Sequence, residues 1–219
     1  MTSKRMFDVV AAGLGLLVTS PLLLVAVALV PLASPGPAIY RAKRVGRGGV
    51  PFTMYKLRTM RTGTTGGLIT AHHDPRVFPL GRLLRKTKLD ELPQLVNVLK
   101  GDMSIVGPRP EDPAIVTTSY TPAQMETLDV RPGLTSPGSL YYYAHTEETL
   151  QGDADGQYAE RLLPVKLALD LVYVREQSLD YDMRLIARTV AIIVGRTLGR
   201  TQFPEPEELV RAKSVYGFI

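Results

Sequence analysis

The chain has 219 residues, 45% of them hydrophobic and 21% charged, enough for one compact domain with an appendage and too little for a multidomain assembly. Without cysteine it has no disulfide framework, thiol nucleophile or cysteine-ligated metal site, and a reducing cytoplasm suits it; His72, His73 and His145 lack the i, i+4 spacing of a helical zinc site. P-loop and dinucleotide glycine patterns are missing too. The net charge of +5 hides a strong asymmetry: residues 41–89 hold twelve Lys or Arg against Asp74 alone, while residues 90–219 hold twelve basic and nineteen acidic groups. Such a basic block calls for an anionic partner or surface.

Between Asp8 and Arg41 lie 32 consecutive uncharged residues, almost all Ala, Val, Leu and Gly from Val9 to Val30. Roughly 20 apolar residues suffice to cross a bilayer, and the run is too long for an ordinary signal peptide. Two features argue against a single crossing. Ser20 and Pro21 sit near its middle, where proline deletes a backbone donor and the serine hydroxyl can serve the carbonyl so freed. Both flanks are basic, with Lys4 and Arg5 before the run and Arg41, Lys43, Arg44 and Arg47 after it, so both ends prefer the cytoplasm. Residues 1–40 therefore read as a re-entrant helix-break-helix membrane hairpin, and residues 41–219 as a domain on the cytosolic face.

Within that domain, Ala38 to Arg44 and Val50 to Arg58 read as strands of a β-hairpin around Gly46-Arg47-Gly48-Gly49. Thr62 to Gly67 reads as a mobile loop, with solvated His72 and His73 after it, and Phe78 to Lys88 as a short basic helix. Leu92, Leu95, Val96 and Leu99 recur with helical spacing, Pro93 suits the first turn and Gly101 the stop. Met103 to Val106 is a short strand leading into Gly107-Pro108-Arg109-Pro110, where two prolines hold Arg109 in place. Residues 121–129, 157–177 and 181–199 read as helices, with a bend at Pro164. The last sets Met183, Ile186, Val190, Ile193 and Val194 on one face, suited to core packing or to a membrane interface, with core packing preferred. The expected fold is α+β, predominantly helical and monotopic, with a small hairpin and interfacial helices.

Asp90 and Glu91 place adjacent carboxylates at a helix start just after Arg82, Arg85, Lys86 and Lys88. Helix amides and cations favour ionised carboxylates, as a nucleophile or a magnesium ligand requires, although acidic residues commonly decorate helix N-termini. The string from Lys88-Leu89-Asp90-Glu91-Leu92-Pro93-Gln94 through Gly107-Pro108-Arg109-Pro110 closely resembles the signature of bacterial sugar transferases, the monotopic polyprenyl-phosphate phosphoglycosyl transferases. Further similarity lies in Lys4-Arg5-Met6-Phe7-Asp8, Ser20-Pro21, Gly36-Pro37-Ala38-Ile39-Tyr40, Tyr55-Lys56-Leu57-Arg58-Thr59-Met60, Asp74-Pro75-Arg76, Leu169-Asp170 and Tyr173-Val174. The extent resembles the small form that consists of the catalytic domain alone.

The resemblance implies transfer of a sugar 1-phosphate from a nucleotide diphosphate sugar, usually a UDP-sugar, to polyprenyl phosphate at the cytoplasmic face of the bacterial inner membrane, opening exopolysaccharide or glycoconjugate assembly. It makes Asp90 the nucleophile and a ligand of Mg2+, and Glu91 a proton acceptor or a steadying partner of that metal site. Arg85 and Arg109 are the candidates for phosphate contacts because guanidinium forks match phosphate oxygens, with Lys56 and Arg58 behind them. The donor, the polyprenyl phosphate, the bilayer and a second copy of the chain are the candidate partners; with few aromatics among its basic residues, nucleic acid is not. After Arg131-Pro132-Gly133-Leu134-Thr135 the chain continues Ser136-Pro137-Gly138-Ser139-Leu140-Tyr141-Tyr142-Tyr143, unlike many members, and the acidic stretch Glu147 to Asp155 is a second departure. The competing reading is a membrane-anchored anion- or lipid-binding protein in which Asp90 and Glu91 only decorate a helix.

Overall fold

The computed structural model describes residues 2–71, 74–146, 154–214 and 217; the expectations for His72 and His73, and most of the acidic stretch from 147, lie outside the described residues. The apolar run forms one helix, α1 (Ser3–Ala33), opened by the Thr2 hydroxyl, which accepts from the Arg5 amide at 3.3 Å. Helical backbone continues through Pro21, where the sequence led us to expect a break. The reason is local: Pro21 cannot donate to the Leu17 carbonyl, and Ser20 Oγ does so instead at 2.9 Å, so the ladder is patched. Most apolar side chains of α1 remain exposed, Leu17, Val18, Leu24 and Leu32 each by 70% or more.

Both halves of α1 nevertheless touch the same globular body. Near its start, Arg5 donates to the Val98 and Leu99 carbonyls at 2.6 and 3.0 Å, and the buried Asp8 accepts from Ser104 Oγ and the Ile105 amide at 2.9 and 3.0 Å. Ala12 joins a core cluster with Ala42, Met54, Leu95, Val98 and Met103. Toward its end, Ala26 and Val30 pack with Leu57, Phe78 and Leu84. Beyond the helix, Arg58 donates to the Ser34 hydroxyl at 2.9 Å, to the Ser34 carbonyl and to the Pro37 carbonyl at 2.6 Å, fastening the helix end to the hairpin.

The hairpin pairs β1 (Ile39–Val45) with β2 (Pro51–Leu57) antiparallel, in the register Tyr40 with Lys56 and Ala42 with Met54. Its turn is a single 3-10 turn, Arg47–Gly49, in which Gly48 holds φ 66°. Helix α2 (Pro79–Lys86) is followed by a 3-10 turn, Leu89–Glu91, and by α3 (Gln94–Lys100), stopped by Gly101 at φ 93°. From α3 the fully buried Asn97 reaches the outer edge of β2, where its Oδ1 accepts from the Tyr55 amide at 3.0 Å and its Nδ2 donates to the Thr53 carbonyl at 2.7 Å. One side chain thus stands in for a missing strand and protects an edge.

Strand β3 (Ser104–Val106) follows, then α4 (Pro113–Ser119) and a 3-10 turn at Gln124–Asp129 where a helix over 121–129 was expected. Strand β4 (Gly133–Thr135) pairs parallel with β3. The crossing is tight: a Cβ on Gly133 would lie 2.2 Å from the Gly107 amide nitrogen, and one on Gly107 2.3 Å from the Arg131 carbonyl, so glycine is needed at both positions. Helix α5 (Pro137–Tyr141) runs into a π-helical turn, Tyr142–Thr146, and after α6 (Ala154–Gln157) a second π-helical turn, Tyr158–Leu162, leads into α7 (Leu163–Glu176). Helical backbone runs without a gap from Ala154 to Glu176, and its π-helical turn falls directly before Pro164, whose ring brings no N–H to the ladder; the disturbance expected at this proline takes that form. Helix α8 (Leu179–Thr197) corrects the sequence reading as well: its core residues are Tyr181, Asp182 and Leu185, whereas Met183, Val190 and Val194, expected inside, are exposed. The last element, α9 (Glu207–Ser214), buries Leu209 and Ala212 against Ala168, Leu169 and Val172 of α7.

Asp8 is the most economical test of how α1 is attached. Asp8→Ala leaves the Ile105 amide and the Ser104 hydroxyl without an acceptor and should cost about 1–3 kcal/mol, while Asp8→Asn keeps an acceptor oxygen and should cost less. Thermal unfolding in detergent measures both.

Candidate active site

The turn that carries the carboxylates begins at Lys88, in the left-handed region at φ 56°, and places Asp90 in the interior and Glu91 half-buried. Glu91 is fully engaged. Arg109 grips it with both guanidinium ends, Nη1 to Oε2 at 3.1 Å and Nη2 to Oε1 at 2.7 Å, and Lys56 adds a contact to Oε1 at 3.5 Å. Burial alone would raise its pKa, yet Arg109, Lys56 and Lys88 together hold it well below the usual carboxylate range.

Asp90 has the opposite balance. Its Oδ1 is buried without a hydrogen-bond partner, and desolvation together with the Glu91 charge pushes its pKa up to about 6 against the pull of Lys56, Lys88 and Arg85. Lys56, itself desolvated, falls to about 8 and still carries its charge at neutral pH. The two neighbouring carboxylates therefore differ in kind: one is compensated and fixed, the other is charged and under-served.

Of the sequence candidates, Asp90, Glu91, Lys56 and Arg109 converge. Arg85 borders them, its charge felt at Asp90 and its Nε donating to Thr59 Oγ1 at 2.9 Å. Arg58 does not join: its Nε, Nη1 and Nη2 are spent on Ser34, Pro37 and Met60, because the end of α1 needs donors and this strand end supplies them. Ser20 and Pro21 stay in the exposed stretch of α1, and the Thr/Gly loop at 62–67 is exposed throughout, with contacts gathering at its far end. The Leu68 and Ile69 amides donate to Asp155 at 3.1 and 2.7 Å, and Arg76, which forks Asp74, also donates to the Gly67 carbonyl at 3.1 Å.

Sequence reasoning missed the residues that hold the Arg109 loop. Lys166, in the interior on α7, pairs with Glu111, and the Tyr158 hydroxyl donates to the same Glu111 oxygen at 2.5 Å. One turn further along α7, Asp170 accepts from the Gly138 amide at 2.9 Å. Burial raises Asp170 to about 6, eased by Lys166, Ser136 and the amides of Gly138 and Arg109. The i, i+4 spacing of Lys166 and Asp170 was visible, but only the fold reveals that their shared face is interior.

For a hard divalent cation, the fit is with Asp90. Its unpartnered Oδ1 is an available oxygen ligand, and Mg2+ is commonly bound by one or two carboxylates plus substrate phosphates, so the absence of a cluster of three His, Asp or Glu among the described residues is compatible with that mode. Chemically, the site offers an anionic oxygen inside a ring of cations, the arrangement that phosphoryl transfer exploits.

Comparison with known proteins gives the family of the chain. Residues 1–196 match the bacterial sugar transferase family, and the chain belongs to it. It is 40% identical over 191 residues to a UDP-glucose:undecaprenyl-phosphate glucose-1-phosphate transferase of Caulobacter vibrioides, covering 85% of this chain and 68% of that protein. An exopolysaccharide production protein, PSS, of Rhizobium leguminosarum is 35% identical, with 90% and 97% covered. The enzyme of Escherichia coli named for the same glucose-1-phosphate transfer is 37% identical over 85% of this chain, which spans only 39% of it.

Opposite stability signs are expected at the two carboxylates. Because folding raises the Asp90 pKa, its ionisation at neutral pH opposes folding; Asp90→Asn should raise Tm at pH 7.5 by about 2–8 °C, a gain that fades as pH falls through 6 toward 4. Glu91 is depressed, so its ionised form stabilises above the unfolded value of 4.5, and Glu91→Gln should lower Tm at pH 7.5. Thermal scans of the two proteins over pH 4–8 check both signs.

Proposed function

We propose that this chain transfers a sugar 1-phosphate from a UDP-sugar to polyprenyl phosphate through a covalent intermediate on Asp90. The observation that carries the reading is the buried, unpartnered Asp90 oxygen beside a Glu91 whose charge is already matched, in a member of the bacterial sugar transferase family. In the first step an Asp90 oxygen bonds to the β-phosphorus, the bond from that phosphorus to the bridging oxygen breaks, and UMP leaves. In the second, a polyprenyl phosphate oxygen bonds to the same phosphorus and the Asp90 carboxylate is released, giving a polyprenyl diphosphate sugar.

Lys56 and Arg85 supply positive charge to the diphosphate, and Arg109 fixes Glu91 while keeping further N–H groups of its fork for phosphate oxygens. Glu91, expected as proton acceptor or metal partner, is held ionised too firmly to be an effective base, and its oxygens are engaged by Arg109 and Lys56; in this reading its role is a different one, to keep those two cations in place. Mg2+ held by Asp90 and the donor phosphates would neutralise charge on the diphosphate and its leaving group.

The membrane part of the proposal is that α1 enters and leaves by the cytoplasmic leaflet of the bacterial inner membrane. Its support is the pair of attachments, Arg5 and Asp8 at one end and Ser34 at the other, to one globular body, together with basic residues at both flanks. The exposed Met183, Val190 and Val194 of α8 suit contact with the same interface. Residues 1–40 then serve as the membrane-embedded segment, built on the single helix α1, and 41–219 as the cytosolic-face catalytic domain, and self-association at the membrane is compatible with this arrangement.

Incubated with UDP-sugar alone, the protein should release UMP up to its own molar amount and gain one sugar phosphate at Asp90; Asp90→Asn should do neither. The burst rate should climb as pH rises through about 6, where Asp90 ionises. No UMP from any UDP-sugar would favour the lipid-binding reading, and UMP release only with acceptor present would favour direct transfer. Cysteines at positions 2 and 42 should both resist labelling from the periplasm; labelling at position 2 would restore a single span.

A further inference from the structure

Among the described residues, four buried side-chain atoms have no hydrogen-bond partner, and three of them are carboxylate oxygens. The fourth is a donor, Nε2 of Gln94, in a residue only 1% exposed. A buried amide N–H that meets no acceptor forfeits the hydration it had in the unfolded chain, so such donors are rare in folded proteins and call for a reason.

The backbone places this donor at the site. The turn Leu89–Glu91 passes into α3 without leaving helical dihedrals, through Leu92 at φ −56°, ψ −34° and Pro93 at φ −59°, ψ −18°. Residues three and four apart therefore share a face, and a long helical side chain leans back over the turn before it. For Gln94 that turn is the one that carries Asp90 and Glu91. Further along the same face Asn97 reaches β2 at Thr53 and Tyr55, the residues that lead up to Lys56.

Neither carboxylate accepts from Gln94. Glu91 is taken by Arg109 and Lys56, and Asp90 keeps its bare Oδ1. An acceptor for the Gln94 N–H has then to arrive with the substrate, and what arrives at Asp90 is a phosphoryl group with non-bridging oxygens. A neutral donor suits this position. A cation there would pair with Asp90 and satisfy the oxygen that has to attack, whereas a carboxamide brings two N–H groups and no charge.

On the Asp90 chemistry proposed above, we propose that Gln94 is a further catalytic residue: its carboxamide N–H donates to a non-bridging oxygen of the phosphoryl group that Asp90 takes from the nucleotide sugar, and steadies that group until polyprenyl phosphate removes it.

The test replaces Gln94 by Met in the full-length protein, which keeps the length of the side chain and removes the donor. At saturating UDP-sugar the burst of UMP should slow about ten- to a hundredfold, as for the loss of a hydrogen bond to a charged group. A sulfur atom at one non-bridging position of the β-phosphate then tells a phosphoryl contact from a structural effect. With one of the two diastereomers the wild type should be slowed about tenfold more than Gln94→Met is, because sulfur weakens a contact that the variant no longer makes. Sulfur effects that are equal in the two proteins, for both diastereomers, overturn the proposal. Since the free protein loses no hydrogen bond, Gln94→Met should also raise Tm, by about 2–8 °C. A fall in Tm, or a protein that no longer folds, means that the amide is partnered before substrate arrives and overturns the proposal without any activity assay.

If the wild-type protein releases no UMP from any UDP-sugar, the function proposed above fails by itself, and the contact is read by NMR of glutamine labelled with 15N in its side chain. The Gln94 signal, assigned by its loss in Gln94→Met, should shift when UDP and Mg2+ are added, because UDP brings a β-phosphate of the same kind. A signal that stays in place overturns the proposal independently of activity.

Discussion

Adjacent carboxylates in a protein interior compete for the same cations, and how that competition is resolved governs this molecule. Arg109 has one planar fork and gives both ends to Glu91; Lys56 leans the same way. Asp90 is left inside the same positive field with a bare oxygen. A symmetric sharing would produce two moderately stabilised carboxylates, each too content to react. Unequal sharing yields one fixed charge that organises the cations and one that is anionic, desolvated and geometrically free. In water both would be solvated alike, so the inequality exists only because the fold excludes solvent.

Keeping it requires that the cations not wander, and the surrounding structure is arranged to that end. Lys56 sits on β2, whose outer edge is held by Asn97. Arg109 sits between two prolines, and its loop is clamped from α7 through Lys166 on Glu111 and Asp170 near the backbone. A buried ion pair such as Lys166 with Glu111 adds little net stability, since desolvation offsets much of the attraction. It does fix where the Arg109 loop lies, and that is what the site needs.

Much of this was legible in the sequence where the signal is local. The hairpin followed from its glycine turn, α3 from the spacing of Leu92, Leu95 and Leu99 with Gly101 as the stop, and the charged string pointed to Asp90, Glu91 and Arg109. What was not legible depends on which face a residue turns inward. Arg58 looked equivalent to Lys56, two positions apart on one strand, yet one meets Glu91 and the other the end of α1. Met183, Val190 and Val194 read as core because periodicity identifies an apolar stripe without saying whether protein or lipid covers it. Pro21 read as a break because pairing of Ser20 with Leu17 is one of several outcomes that a Ser-Pro step allows.

Lys56 and Arg58 also have a shared consequence. At about 1.5 Å per residue the 31 residues of α1 amount to roughly 46 Å of helical path, fastened at both ends to the body that carries the site. The rear fastening is Arg58, one peptide beyond the strand that presents Lys56 to Glu91. With α1 lying in the leaflet as proposed, the helix acts as a depth gauge: where it floats fixes the height of Asp90 relative to the lipid phosphates. On the proposed chemistry, an acceptor that cannot leave the bilayer need not be lifted out of it, and changes in leaflet thickness or tension would be felt at Asp90 through a single strand.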